Sequence, residues 1–259
     1  MKINVVYNKN IPNYSEILSE VETLLISEKA EFRSYDLDTM ENYGDISIVI
    51  GGDGTLLKAA KFYSKTETPV IGINIGRLGF LSQQDTVKNV VEAILNKSYY
   101  VEKRLMLSSI NKLALNDFVI KGCNPSRTSK FYLEINNNPV CDYIADGLII
   151  STPTGSTAYG LSAGGPVLYP TIDAITIVPI CPHTLNVRPI VVPTNEVITI
   201  KTGDNLLSVS IDGFESTNCI DKIAIKTAPQ KAILAFLNES RFYNVLRNKL
   251  HWGISPKPL

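Results

Sequence analysis

A glycine-rich turn directly after a buried strand is the feature that most constrains the fold of this chain. Residues 46–50 read Ile-Ser-Ile-Val-Ile, a β-branched run that predicts a buried strand of a parallel sheet. Gly51-Gly-Asp-Gly-Thr55 follows, and an apolar segment with helical spacing comes next. Glycines let the backbone turn sharply near a ligand, and a helix beginning near Thr55 directs its positive end to the same point. The stretch predicts a phosphate site in which Asp53 holds a metal ion or accepts a proton; the alternative is a turn in which Asp53 only caps the helix.

Strands and helices alternate on both sides of this turn. The alternation predicts a doubly wound parallel sheet over residues 1–100, an N-terminal α/β nucleotide-binding domain. Ligands of such sheets bind at the carboxyl ends of the strands, where the glycine turn falls. The predicted strands are 2–7, 32–37, 46–50 and 70–75, and the predicted helices are 14–26, 56–63 and 87–95.

The pattern changes after residue 100. Short β-rich runs separated by turn signals predict a C-terminal β-sandwich-like domain over residues 101–239. Residues 240–259 contain a helical segment at 241–250, which we expect to return to the first domain. The predicted strands are 105–115, 131–135, 140–144, 147–151, 174–179, 197–201, 207–211 and 224–227.

Composition excludes several classes of partner. The 259 residues carry 25 basic and 25 acidic side chains without a long like-charge block, so we expect neither nucleic-acid nor membrane binding. The four cysteines form no Cys-x-x-Cys pair and there are only two histidines, so no zinc or other protein-held metal cluster is expected. With no signal-peptide pattern, free thiols predict a cytoplasmic protein.

A second stretch rich in chemistry runs from Asp146 to Tyr159. An apolar strand leads into a loop whose hydroxyls, on Thr154, Ser156 and Thr157, can cap a short helix and leave backbone N–H groups free for an anion. Tyr159 offers a flat face that can pack against a base or a ribose. The alternative is an ordinary solvent-facing turn, because Ser/Thr/Gly loops are common.

The dipeptide Asn116-Asp117 is a third, weaker signal, placed at the end of a predicted strand. The amide can donate and the carboxylate can accept, so the pair is suited to hold a ribose diol. The alternative is a simple strand-end turn.

Together these stretches resemble the bacterial NAD kinases of the ATP-NAD kinase family. The glycine–aspartate turn alone also resembles that of 6-phosphofructokinases and diacylglycerol-type lipid kinases, whereas the hydroxyl-rich loop with the upstream Asn-Asp pair separates this family from them. The motifs occur in order as Gly51-Gly-Asp-Gly-Thr55, Asn74-Ile-Gly-Arg-Leu-Gly-Phe-Leu81, Asn116-Asp117 and Asp146-Gly to Gly164-Gly-Pro166.

The resemblance implies an α/β domain joined to a β-sandwich-like domain, with the active site between them and often between subunits of a homo-oligomer, a dimer or tetramer. It implies transfer of the γ-phosphoryl group of ATP, or of polyphosphate, to the 2′-hydroxyl of the adenosine ribose of NAD, giving NADP, with Mg²⁺ as the divalent ion. A lipid kinase and a non-catalytic dinucleotide sensor are the other hypotheses. The first lacks a basic or amphipathic membrane face, and the second would have no use for Asp53.

By motif position, Asp53 is the catalytic residue that accepts or orients the hydroxyl proton. The residues implied to bind NAD are Gly54, Phe80, Asn116, Asp117, Asp146, Thr157, Ala158, Tyr159 and Ser162. Phe80 is expected near the adenine, with core packing as the alternative. The donor phosphates are assigned to the glycine turn, Gly51, Gly52, Gly54 and Thr55, and to Lys58, for which a solvated surface position is the alternative.

Two further residues are tentative. Arg127 falls where relatives contact the NAD phosphates, although its loop is polar and surface placement is the alternative. Asp212 precedes Gly213 near the position of a substrate contact, with a hairpin turn as the alternative. The chain departs from the family pattern at Ile144, where many members carry arginine, and at Phe214, where relatives often carry a polar side chain.

Overall fold

The structure, a computed structural model, describes residues 1–76, 78–124, 128–184, 186–203, 206–239 and 241–253. Its contacts divide the chain into two compact units. The first unit comprises Met1–Lys103 and Ala232–Leu259, and the second comprises Arg104–Lys231.

Five helices and eighteen strands are described. The helices are α1 (Tyr14–Ser27), α2 (Asp53–Tyr63), α3 (Val87–Leu95), α4 (Tyr159–Ser162) and α5 (Arg241–Leu250), with 3-10 turns at Leu37–Thr39 and Gly155–Thr157. The strands are β1 (Lys2–Tyr7), β2 (Glu31–Asp36), β3 (Ile46–Ile50), β4 (Val70–Ile73), β5 (Tyr100–Arg104), β6 (Leu107–Ser109), β7 (Lys112–Ala114), β8 (Asp117–Gly122), β9 (Ser129–Ile135), β10 (Asn138–Ala145), β11 (Gly147–Ser151), β12 (Ala174–Ile180), β13 (Ile190–Pro193), β14 (Ile198–Thr202), β15 (Leu207–Ile211), β16 (Glu215–Ile220), β17 (Lys222–Thr227) and β18 (Ala232–Phe236).

The first unit is built on a six-stranded sheet in the order β2-β1-β3-β4-β18-β5. Neighbours from β2 to β18 are parallel. Alternate residues of β3, such as Ile48, pack into one core with α1 and α3. On the other face Gly72 pairs with Val49, and a Cβ at Gly72 would lie 2.5 Å from a methyl of Leu56 in α2. Helices therefore cover both faces, which confirms the predicted doubly wound parallel sheet.

The second unit contains two sheets of six strands, in the orders β10-β9-β14-β17-β6-β7 and β13-β12-β11-β8-β15-β16. The strand pairs described in both are antiparallel. One hydrophobic core takes side chains from each sheet, for example Phe131 and Ile200 from the first and Phe118 and Ile150 from the second. This shared core confirms the predicted β-sandwich-like domain.

Two details differ from the sequence-based expectation. Residues 105–115 are a hairpin rather than one strand, because Ile110 and Asn111 turn the chain at φ 44° and 56°. The chain returns to the first unit at residue 232 rather than 240, because β18 extends the parallel sheet beside β4. Among the described residues no helix is long and apolar enough to cross a membrane.

Candidate active site

The glycine turn after β3 is shaped by the absence of side chains. Gly51 has φ 156°, and a Cβ there would lie 2.6 Å from Oγ1 of Thr55. The amides of Thr55 and Leu56 both donate to the carbonyl of Gly52, at 3.0 and 3.1 Å. Helix α2 therefore begins at Asp53, before the start of the predicted helix 56–63, and Asp53 lies in its first turn.

The carboxylate of Asp53 binds a second segment of the first unit. Its Oδ2 accepts the N–H of Phe80 at 2.7 Å, and its Oδ1 accepts the N–H of Leu81 at 3.1 Å. Oδ1 also accepts both the N–H and the hydroxyl of Ser82, each at 2.9 Å. A Cβ at Gly79 would lie 1.9 Å from Oδ1, so only glycine fits beside the carboxylate. We name residues 79–82 the clamped loop.

These contacts set the charge of Asp53. Burial alone would raise the pKa of the carboxyl group, but the N–H groups of Ser82 and Phe80, the Ser82 hydroxyl and the ammonium of Lys249 outweigh it, and the net pKa is lowered. Within the described residues Oδ1 receives three donors, whereas Oδ2 receives one N–H and faces Lys249 at 3.6 Å. Oδ2 is therefore the oxygen with capacity for a further donor.

Helix α5 holds the clamped loop from the other side. The Arg241 guanidinium donates to the carbonyls of Gly79 at 3.0 Å, of Phe80 and Leu81 at 3.2 Å each, and of Ser82. The loop thus gives its N–H groups to Asp53 and its carbonyls to Arg241. Sequence reasoning treated residues 241–250 only as a returning helix and missed this role.

A cavity of about 480 Å³ opens beside these groups in the first unit. The Phe80 ring, expected near the adenine, packs against Phe242 at 6.5 Å between ring centroids and lies 5.0 Å from the Lys249 ammonium. The residues that line the cavity are Asp53, Leu78, Gly79, Asn248 and Lys249.

In the second unit, Asp212 binds the segment that contains Asn116-Asp117. Its carboxylate accepts the N–H groups of Leu115 at 3.1 Å, Asn116 at 2.8 Å and Asp117 at 3.2 Å. Asp212 itself has φ 52° and Gly213 has φ 72°, in the turn between β15 and β16. The hairpin alternative is therefore correct for the backbone, while the side chain positions the Asn116-Asp117 pair. That pair was expected at the end of a strand, but Asp117 begins β8.

The hydroxyl-rich loop is attached to the same segment. Thr152 donates its hydroxyl to the Leu115 carbonyl at 2.6 Å and its N–H to the Asn116 carbonyl at 2.9 Å. A Cβ at Gly155 would lie 2.2 Å from the Asn116 carbonyl oxygen. Several hydroxyls of this loop therefore hold protein segments together, and among the predicted ligands Thr157 donates to the Thr154 carbonyl at 3.3 Å.

A cavity of about 410 Å³ lies at this junction, within the second unit. Asp117 is buried, and this burial, together with the neighbouring Asp212 carboxylate, raises the pKa of Asp117 to about 7. Tyr159 is 40% exposed and presents the flat face that the sequence suggested. The lining residues are the predicted Asn116, Asp117, Ala158, Tyr159 and Asp212, together with Val119, Lys121, Ser208, Ser210 and Gly213, which sequence reasoning missed.

The remaining candidates are distributed between the units. Gly51, Gly52, Gly54, Thr55 and the half-buried Lys58 surround Asp53 along the chain at the start of α2. Three of the predicted NAD ligands, Asp146, Thr157 and Ser162, belong to the second unit but are outside the lining named above. Arg127 is outside the described residues. At the two departures from the family pattern, the side chains of Ile144 and Phe214 are 42% and 49% exposed.

One carboxylate in each unit binds several backbone N–H groups. In the part of the chain that the structure describes, no group of three or more His, Cys, Asp or Glu side chains is placed to hold a metal ion. Asp53 and Asp212 each accept three backbone N–H groups.

The glycine–aspartate turn of the parallel α/β unit and the acidic cavity of the β-sandwich unit agree with the class of protein that the sequence resembles, a kinase acting on a small molecule. Comparison with known proteins specifies the family. The model of the ATP-NAD kinase N-terminal domain matches residues 5–100, and that of the ATP-NAD kinase C-terminal domain matches residues 115–235. The chain belongs to the ATP-NAD kinase family.

Individual relatives agree with this assignment. The chain is 43% identical over 225 residues to an NAD kinase of Pseudomonas putida (strain W619), covering 81% of this chain and 76% of the relative. It is 41% identical over 225 residues to an NAD kinase of Pseudomonas aeruginosa (strain LESB58), with the same coverage. The solved structure of an NAD kinase from Archaeoglobus fulgidus in complex with ATP superposes with a TM-score of 0.79 at 25% identity, covering 97% of this chain and 99% of that one. Yeast NADH kinase complexed with NADH gives a TM-score of 0.87 at 23% identity, covering 100% and 90%, and shows the shared fold.

Proposed function

We propose that this enzyme transfers the γ-phosphoryl group of ATP to the 2′-hydroxyl of the adenosine ribose of NAD. A bond forms between the 2′-oxygen and the γ-phosphorus, the bond from that phosphorus to the β,γ-bridging oxygen breaks, and ADP and NADP leave. The hydroxyl proton passes to Asp53 or to solvent. Phosphoryl transfer depends mainly on alignment and charge neutralisation, which suits a site built from fixed backbone groups.

One observation carries the proposal: the Asp53 carboxylate is ionised, fixed by the clamped loop, and has capacity left on Oδ2. A carboxylate with a lowered pKa is a weak base, so its contribution is to hold the 2′-hydroxyl in line while the proton leaves late. The amides at the start of α2 and the glycine turn would contact the donor phosphates.

The second unit supplies the NAD-binding residues in this proposal. Asn116 and Asp117 would hold a ribose through its hydroxyls, and Tyr159 would pack against the ring system beside it. Asp212 positions the pair through its backbone amides. Mg²⁺ enters as the MgATP complex, bound to the phosphates as part of the substrate. We further propose a cytoplasmic homo-oligomer, a dimer or tetramer, which light scattering of the purified protein would test.

A coupled assay tests the function. The purified chain is incubated with ATP, Mg²⁺ and NAD, and NADP is detected with an NADP-specific dehydrogenase. Parallel reactions with NADH, with polyphosphate, and with diacylglycerol as acceptor define the substrates. NADP formation that requires both ATP and NAD supports the proposal. Tight NAD binding without turnover would instead indicate a dinucleotide sensor.

A further inference from the structure

The last turn of α5 places a cation beside Asp53. The Lys249 Nζ lies 3.6 Å from Asp53 Oδ2 and 5.0 Å from the centroid of the Phe80 ring. The side chains of Lys249 and Asp53 are 35% and 32% exposed, so the pair is neither buried nor freely solvated. The ammonium therefore reaches the same oxygen that has capacity for the acceptor hydroxyl.

This position is fixed at both ends of the helix. Arg241, at the first residue of α5, binds the carbonyls of the clamped loop, while Lys249, in the last turn, reaches the carboxylate that binds the N–H groups of that loop. Val245 and Leu246 between them are buried. The helix is thus attached to the Asp53 site along its length, and Lys249 is not a lysine on an unattached surface helix.

The geometry leaves the ammonium able to bind a second anion. A separation of 3.6 Å is longer than the roughly 2.7–2.9 Å of a charge-assisted hydrogen bond, and an ammonium carries three N–H donors. Lys249 lines the cavity of about 480 Å³ together with Asp53, Gly79 and Asn248. A phosphate entering this cavity would meet the Asp53 carboxylate and would be repelled without a cation beside it.

The structure assigns Lys249 to the donor site, where its ammonium binds the terminal phosphoryl group of ATP next to Asp53. The assignment rests on the proposed function and adds to it a residue that the glycine turn and the hydroxyl-rich loop do not contain. In this role Lys249 neutralises charge on the phosphoryl group during transfer, and Asp53 orients the acceptor hydroxyl.

Three variants of the full chain test the assignment. Lys249→Gln removes the charge, Lys249→Arg keeps it, and Arg247→Gln removes one charge from the same turn of α5 without touching the cavity lining. We expect Lys249→Gln to raise KM for ATP about tenfold or more and to lower kcat, with KM for NAD within about twofold. Lys249→Arg should recover most of the activity, and Arg247→Gln should match the unmodified enzyme.

A binding measurement without turnover complements the kinetics. Inorganic tripolyphosphate is titrated calorimetrically into the unmodified protein and into each variant. It should bind about tenfold more weakly to Lys249→Gln, and with unchanged affinity to the other variants. An unchanged affinity together with an unchanged KM for ATP would overturn the assignment. A raised kcat in Lys249→Gln would overturn it as well, because Lys249 would then be an inhibitory partner of Asp53.

The titration also separates this inference from the function on which it rests. If the unmodified chain forms no NADP, the proposed function fails, while loss of tripolyphosphate binding in Lys249→Gln would still place Lys249 in a phosphate site. If the glutamine variant does not fold by circular dichroism, Lys249→Met, which removes the charge and keeps the aliphatic stem, replaces it in the titration. Tripolyphosphate binding to Lys249→Met as tight as to Arg247→Gln would refute the assignment.

Discussion

The two units use the same backbone device in opposite electrostatic surroundings. Asp53 accepts the N–H groups of three successive residues, 80–82, and Asp212 accepts those of residues 115–117. An ammonium, that of Lys249, stands beside Asp53, whereas a second carboxylate, that of Asp117, stands beside Asp212. The N–H groups of Ser82 and Phe80, the Ser82 hydroxyl and then Lys249 outweigh the effect of burial and lower the pKa of Asp53, whereas burial, with a further contribution from Asp212, raises the pKa of Asp117 to about 7.

The difference shows how one arrangement, a carboxylate that accepts successive backbone N–H groups, can serve either a phosphate site or a sugar site. A carboxylate paired with a cation leaves little net charge, so a phosphate can approach it. A buried carboxyl group that titrates near neutral pH can either donate or accept a hydrogen bond, which suits a sugar hydroxyl. We call Asp53 with residues 80–82 the first clamp, and Asp212 with residues 115–117 the second clamp. Each clamp fixes a backbone segment, and burial and neighbouring charge set the protonation of the carboxyl groups beside it.

Removing the charge of Asp53, the carboxylate of the first clamp, should have the largest effect. Asp53→Asn should lower kcat by at least about 100-fold, because the amide cannot orient the acceptor hydroxyl as a carboxylate does. It should also lower the melting temperature, because an amide nitrogen cannot accept the N–H groups of the clamped loop. Ser82→Ala is the matched control, since it removes one donor and leaves the carboxylate, and should retain most of the turnover. Full turnover in Asp53→Asn would refute the role.

Asp117, which the second clamp holds, should make stability depend on pH. Because the folded-state pKa of Asp117 is raised from 3.8 to about 7, its favourable contribution is complete below about 4 and is lost as the pH rises through 7. Asp117→Asn should remove this loss, which is roughly 4 kcal/mol at most, from the free energy of unfolding. Urea unfolding at several pH values between 4 and 8 measures it. Identical pH profiles for the two proteins would contradict the account.

For Asp53, in the first clamp, stability depends on pH in the opposite direction. The lowered pKa of Asp53 means that its contribution is present above the unfolded value of 3.8 and is lost as the pH falls through the folded value. Its effect therefore lies below the pH range in which Asp117 titrates, and extending the urea series to lower pH separates the two contributions.

Glycine substitutions compare the two clamps by packing alone. A methyl group at Gly79 would meet Oδ1 of Asp53 at 1.9 Å, and one at Gly155 would meet the Asn116 carbonyl at 2.2 Å. Each alanine variant should lose about 1–3 kcal/mol in the free energy of unfolding. Gly52→Ala is the stability control, because no atom lies within 4 Å of the added carbon, and thermal melts should show it nearly unchanged. Equal melting temperatures for all three variants would show that neither glycine is required by its clamp.

Local sequence patterns predicted the elements whose structure is set by residues adjacent in the chain. The β-branched run of β3 and the glycines after it specify a strand, a turn and a helix within a dozen residues, and the structure contains all three. The alternation of strands and helices likewise predicted the parallel sheet, and the short β-rich runs predicted the sandwich. Strand β8 was missed because its six residues, starting at Asp117, carry little alternation and end in Gly122.

The clamps could not be predicted because they join distant residues. Asp53 reaches the clamped loop across 27–29 residues, and Arg241 reaches it across about 160. Asp212 meets Asn116 only because β15 pairs with β8. The sequence marked Asp53, Asn116 and Asp117 as chemical groups, but which backbone amides they or their neighbours bind depends on strand order, which no local spacing encodes.

The central claim is that Asp53 acts in transfer while Asp117 binds NAD. NAD binding in the absence of ATP tests it directly. Calorimetric titration of NAD into Asp53→Asn and Asp117→Asn compares the two under identical conditions. We expect Asp53→Asn to bind NAD within about threefold of the unmodified protein, and Asp117→Asn to bind it about tenfold more weakly. Unchanged affinity in Asp117→Asn, with loss of NAD binding in Asp53→Asn, would contradict it.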